Sequence, residues 1–165
     1  MIPEPEWEQR IADLWAAYGD HTPEAFLAKM QALVDELPAG HAVGLFELAS
    51  AHDSTSHEAQ AAPLYRQALA AGLTGVQRRR ATIQLASTLR NLGQVEESVA
   101  LLRAEREQGS DALDDAVAAF LALALADTGR EREALRLALT ALARHLPRYN
   151  RSLANYARAL MPGAK

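Results

Sequence analysis

The stretch Arg78-Arg79-Arg80-Ala81-Thr82-Ile83-Gln84-Leu85-Ala86-Ser87-Thr88-Leu89-Arg90-Asn91-Leu92-Gly93 reads as one helix followed by its stop. Leu85, Ala86 and Leu89 follow a three-four spacing that gathers apolar side chains on one helical face. Gly93 is the residue type that ends helices in a left-handed conformation. Outward from this segment, Gly19, Ser56 and Gly129 fall where other helix-like segments stop, and the four marks lie 37, 37 and 36 residues apart. The small residue early in the helix after each mark, Ala25, Ala61, Ser98 and Ala134, recurs at 36, 37 and 36. Two rulers with one period indicate an internal repeat.

Within the repeat the spacing is helical throughout. Leu45, Leu48, Ala49 and His52 form one such set and Leu121, Ala122 and Leu125 another, with no strand-like alternation competing. Thr22-Pro23-Glu24 places a cap, a preset φ and an acid in one first turn. Thr55 with Glu58, and Thr74 with Gln77, have capping-box spacing, and Ser110 or Asp111 would cap a further helix. Gly72, Gly109, Pro38 and Pro147 mark stops. These signals predict helices near 4–18, 23–37, 42–54, 56–71, 76–91, 95–108, 112–127 and 131–145, with a closing helix at 148–160. Pro63, two turns into a helix begun at Thr55, removes a hydrogen bond at a cost of about 3 kcal/mol unless the helix bends, so a kink is expected there.

Composition narrows the function classes. The 165 residues are 49% hydrophobic but only 5% aromatic, which suits one domain with a core of small aliphatic side chains. A net charge of −4 gives no general attraction to nucleic acid or to an anionic membrane. There is no cysteine, so disulfides, thiolate nucleophiles and Cys-based zinc sites are excluded. The acidic, proline-broken start lacks the form of a secretory signal, and the apolar run Ala116 to Ala126 is shorter than the ~20 residues of a membrane span. A cytoplasmic location is expected.

Three units share a signature. It stands as Leu45-x2-Leu48-Ala49-x2-His52 with Ala61-x3-Tyr65, then Thr82-x2-Leu85-Ala86-x2-Leu89 with Ser98-x3-Leu102, then Ala118-x2-Leu121-Ala122-x2-Leu125 with Ala134-x3-Ala138. The first unit keeps Ile11-Ala12-x2-Trp15 and Ala25, with Lys29 where a large apolar residue is expected. The pattern resembles the tetratricopeptide repeat, whose unit is ~34 residues. Segments such as Glu47 to Ser54 and Arg78 to Gly93 are similar to short bacterial proteins made of little but these repeats, a group with no known reaction.

The resemblance implies an all-α, right-handed α-solenoid of about four helix-turn-helix repeats plus a C-terminal capping helix. One domain, 1–165, would hold repeats at 4–38, 42–73, 76–109 and 112–147 and the closing helix at 148–160. It also implies a concave groove lined by the first helix of each repeat, a surface for peptides. On the family pattern that groove presents Phe46, Glu47, Ser50 and Asp53 on one helix and Arg80, Ile83, Gln84, Ser87, Arg90 and Asn91 on the next. Gln9, Asp13 and Ala16 would belong to the opening helix. Arg80 and Arg90 either pair with Glu47 and Asp53 or, with Asn91, receive a peptide carboxylate, for which arginine geometry is suited.

Chemistry finds little support. No glycine-rich loop ends in Lys-Ser or Lys-Thr. His21, His41, His52, His57 and His145 never stand at the i, i+4 spacing of paired metal ligands. His52-Asp53-Ser54 are neighbours on one helix, which point apart rather than converge as a triad. Asn150-Arg151-Ser152 has the form of a glycosylation acceptor, without meaning in the absence of secretion. No catalytic residue, metal or cofactor is expected. The expected partner is a protein or peptide segment held in the groove, not nucleic acid or membrane. Two alternatives stand beside it. One is a self-associating homodimer in which repeat surfaces bury one another and partly fill the groove, with Leu153, Tyr156 and Leu160 of the closing helix either capping the stack or joining the dimer. The other is a small-ligand binder or enzyme.

Overall fold

The computed structural model describes residues 4–160. The described chain is helical, without a strand: α1 Pro5–Ala16, α2 Pro23–Val34, α3 Ala42–Ser54, α4 Glu58–Ala70, α5 Gly75–Asn91, α6 Val95–Glu107, α7 Asp114–Asp127, α8 Glu131–Ala143 and α9 Asn150–Ala159. A 3-10 turn, Tyr18–Asp20, follows α1. Two compact units are formed, one up to Thr88 and one from Leu89, so the boundary falls inside α5.

Punctuation explains why the period is visible. Ser56, Gly93 and Gly129 take the left-handed conformation at φ 61°, 79° and 73°. Each donates its amide to the carbonyl three residues back, and the next residue donates five residues back: Ser56 to Asp53 and His57 to His52, Gly93 to Arg90 and Gln94 to Leu89, Gly129 to Ala126 and Arg130 to Leu125. This Schellman pairing satisfies the last carbonyls of α3, α5 and α7 and turns the chain into the next helix. Gly19 differs. It lies in the 3-10 turn, where Asp20 donates to Ala17 and His21 to Tyr18.

Helix starts follow the sequence in part. Thr22 caps α2, its hydroxyl accepting from the Ala25 amide at 3.3 Å. The capping box expected at Thr55 does not form. The Thr55 hydroxyl instead donates back to Ala51 at 2.8 Å, closing α3, and α4 starts at Glu58 behind an uncapped His57. That later start leaves Pro63, exposed, inside a helix that continues to Ala70. Asp111 accepts from the Leu113 amide at 2.7 Å, a local turn that delays α7 to Asp114.

In the first unit, Trp7, Ile11, Leu14, Phe26, Met30, Leu48 and Ala51 form a buried cluster. Its rings pack at Trp15–Phe26 5.0 Å and Tyr18–Phe26 4.8 Å between centroids. The expected Ala25-x3-Lys29 pair is displaced by one residue: Phe26 and Met30 are fully buried, while Ala25 and Lys29 are exposed. Ala61 and Tyr65 occupy the same signature in α4 as expected, both fully buried. In the second unit, Leu102, Val117, Leu121 and Leu125 are buried, and Ser98 and Ala134 are small buried residues of α6 and α8, both of which pack against α7.

Candidate functional site

One face of the first unit is an open cleft of about 420 Å³, built from α1, α3 and α5. Its apolar wall is Trp7, Ile11, Trp15 and Val43, and its polar lining includes Glu8, Glu47, Ser50, Gln77, Arg80 and Gln84. A neighbouring cavity of about 480 Å³ is walled largely by turn residues, from Gly40 to Ala42 and from Ala71 to Thr74.

Helical spacing puts this set together. Val43, Glu47, Ser50 and Ser54 recur at three and four residues along α3, and Gln77, Arg80 and Gln84 do so along α5. On α1 the cleft takes Glu8, Ala12 and Trp15, one residue before the expected Gln9, Asp13 and Ala16. A slip of one residue turns a helix by about 100°. Its cause is Trp7, whose indole donates to the Leu33 carbonyl at 2.7 Å and so rotates α1 to bury Trp7, Ile11 and Leu14. Gln9 and Asp13 are left bonded to each other on the exposed side.

Glu47 lies at the floor, only 8% exposed. Its Oε2 accepts from the Trp15 indole at 2.8 Å. Burial raises its carboxyl above the ordinary range, against the opposing pull of the Trp15 bond and the Arg80 charge. Arg80 stands at the rim with its guanidinium 5.3 Å from the centre of the Phe46 ring, a cation–π contact. Ser50, buried, donates to the Phe46 carbonyl at 2.9 Å and lies 3.5 Å from Gln84 Oε1.

The remaining residues expected in the groove are placed otherwise. Phe46 and Ile83 are buried in the core. Asp53 accepts from Thr88 at 3.0 Å and from Tyr65 at 3.4 Å, and burial raises its carboxyl too. Ser87 is half-buried outside the cleft lining. Arg90 does not pair with Glu47 or Asp53. It binds Asp127 of α7 at 2.6 Å, because α7 follows α5 by one repeat period and brings the acid level with it. Asn91 is exposed at the end of α5. The repeat pattern does not point to Trp7, Glu8, Ile11 and Trp15 as lining residues. The signal that does is the pair of tryptophans concentrated in one short helix of an aromatic-poor chain.

His52, at the end of α3, is half-buried, its ring 5.8 Å from that of His57 and edge-on to it. Burial, and then the His57 charge, lower its pKa. Among the described residues no three His, Cys, Asp or Glu side chains gather as metal ligands would. Among them no helix is long and apolar enough to cross a membrane.

Comparison with known proteins places this geometry. Two crystal structures of a Podosopora anserina repeat protein, described as a kinesin light chain with nearly identical TPR-like repeats, superpose on almost the whole chain. One of them, a point variant, has a TM-score of 0.71 at 18% identity, covering 97% of each chain. The other has 0.70 at 19%, covering 96% of this chain and 97% of that one. At this identity the likeness shows the fold alone. No curated protein sequence matches. The sequence profile described as tetratrico peptide repeat matches residues 42–160, from α3 through α9. The chain belongs to the tetratricopeptide repeat family.

Proposed function

We propose that the chain is a protein-interaction scaffold and that the cleft of its first unit receives an extended segment of a partner protein. The observation that carries this reading is the cleft itself. Three successive first helices present an aromatic wall opposite polar side chains, with Arg80 exposed at the rim. Its volume lies in the range of sites that take a ligand or a few side chains rather than a folded surface. Arg80 offers donors to the carbonyls or a carboxylate of the segment, and the half-buried Trp15 offers apolar area with few side-chain torsions to order. Arg90 and Asn91 are not needed for this site.

The test is selection of displayed random peptides against the chain, followed by binding to two variants. Arg80→Ala should weaken the selected peptides by roughly ten- to a hundredfold, the equivalent of losing one charge-assisted bond of about 1.5–3 kcal/mol. Ser54→Trp, at an exposed position of the lining, should block the cleft sterically. Peptides that bind both variants as they bind the parent chain would move the interaction surface elsewhere.

A further inference from the structure

The floor of the cleft holds an acid that the fold does not require. Glu47 is on α3 between the buried Phe46 and Leu48, and its side chain enters the cleft rather than the solvent. The equivalent positions of the next two repeats carry Gln84 and Phe120, so the repeat does not need an acid there. Burying a carboxyl group costs free energy unless charge and hydrogen bonds compensate it. The indole of Trp15 supplies one bond and fixes the direction of the carboxyl. The nearby cation, Arg80, stands over the Phe46 ring instead, and among the described residues only Oε2 of the Glu47 carboxyl finds a hydrogen-bond donor. Compensation is therefore incomplete in the unliganded cleft.

The rest of the lining points to what completes it. Glu8 adds a second acid, so the cleft holds two carboxyl groups and one guanidinium. Ile11, Trp15 and Val43 line the same cleft as Glu47 and offer apolar surface suited to an aliphatic stem. A ligand carboxylate at the floor would meet Glu47 itself.

We infer that Glu47 and Trp15 form a pocket for the cationic tip of a lysine or arginine side chain, the stem lying along Ile11 and Val43 and the peptide backbone passing Arg80. This rests on the reading of the cleft as a peptide site and names the side chain that site selects. Binding would replace the missing compensation with a direct ion pair to Glu47.

The test is an NMR titration of the labelled chain, following the Trp15 indole N–H, which reports directly on the Glu47 carboxyl. The probes are N-acetyl-lysine amide, N-acetyl-norleucine amide, which keeps the stem without the charge, and N-acetyl-aspartic acid amide. The lysine probe should shift the resonance along a saturating curve. The other two should bind at least about tenfold more weakly, the difference one charge-assisted bond makes. Glu47→Gln, which keeps an acceptor for the indole, should remove the preference for lysine. Equal response to lysine and norleucine in the parent chain overturns the inference without recourse to any variant, as does an indole that no probe moves. If selected peptides depend on Arg80 while the lysine probe fails, the cleft stands and the cation pocket falls. If the lysine probe binds while peptides ignore Arg80, the pocket stands and the wider peptide reading falls.

Discussion

Replacing Ser56 by glycine should stabilise the protein, because Ser56 does the work of a glycine without being one. It holds φ 61° after α3, where Gly93 and Gly129 hold φ 79° and 73° after α5 and α7, with the same two closing hydrogen bonds at each site. A side chain in this conformation costs roughly 1–2 kcal/mol through the contact of Cβ with the following carbonyl. Removing it frees the unfolded chain as well, which offsets about 0.4–1 kcal/mol. The net expectation for Ser56→Gly is a gain of about 0.5–1 kcal/mol, and in a chain of this size that raises Tm by about 1–4 °C. The reverse changes, Gly93→Ala and Gly129→Ala, should cost about as much. A Cβ built at either position meets nothing within 4 Å, so crowding does not contribute and the loss reports the backbone alone. Guanidinium unfolding followed by far-UV circular dichroism measures all three. A lower midpoint for Ser56→Gly, or unchanged midpoints for both alanine variants, would refute the equivalence of the three turns.

Further expectations concern charge. Glu47 has a raised pKa in the fold, so its favourable contribution is complete below the ordinary value of 4.5 and is lost as pH rises through the folded value. Glu47→Gln should therefore gain on the parent between pH 4 and neutrality in thermal melts, and a variant that is worse at neutral pH and equal in acid contradicts the sign. His52 has a lowered pKa, so its neutral form is the one the fold accepts. Stability should hold above the ordinary 6.5 and fall as pH drops below it, with a shallower fall in His52→Gln. Arg90→Ala should cost less than about 1 kcal/mol, because its bond to Asp127 is between side chains 29% and 39% exposed. It should leave peptide binding unchanged, and a tenfold loss there would return Arg90 to the binding surface.

The repeat is legible where local chemistry controls it. Gly93 and Gly129 announce their own conformation, and Ala61, Ser98 and Ala134 announce the close approaches behind them. Ser56 is found only by counting, since serine rarely signals a left-handed turn. α1 and α2 depart from the sequence pattern by one residue each because their register is set at long range. The bond from Trp7 to the Leu33 carbonyl joins residues 26 apart, and no local signal near Trp7 foretells it. Arg90 departs from its expected pairing for a related reason. Its partner lies 37 residues downstream, one period away on the following first helix, whereas the expected acids lie one period upstream. Spacing alone gives both candidates equal standing.

Period also separates packing from recognition. Bonds between successive first helices recur at similar separations: Trp15 to Glu47 at 32, Ser50 to Gln84 at 34, Asp53 to Thr88 at 35. Those at Asp53 and Thr88 close on each other and on Tyr65, so that both carboxyl oxygens of Asp53 are bonded. The two nearer the cleft do not close in this way. Glu47 has an indole and a cation held by another ring, and the side-chain amide of Gln84 has its oxygen only loosely bound to Ser50. A scaffold selected for stability alone would fill such positions with apolar residues, as α7 does with Phe120 at the place that Glu47 and Gln84 hold on α3 and α5. Incompletely satisfied polar groups on the wall of a cleft have a physical use in a helical repeat: they are completed by whatever segment lies against them. That asymmetry, a sealed Asp53 joint beside an unsealed Glu47 floor on the same helix, is what directs the binding hypothesis to the first unit and to its α1–α3–α5 face.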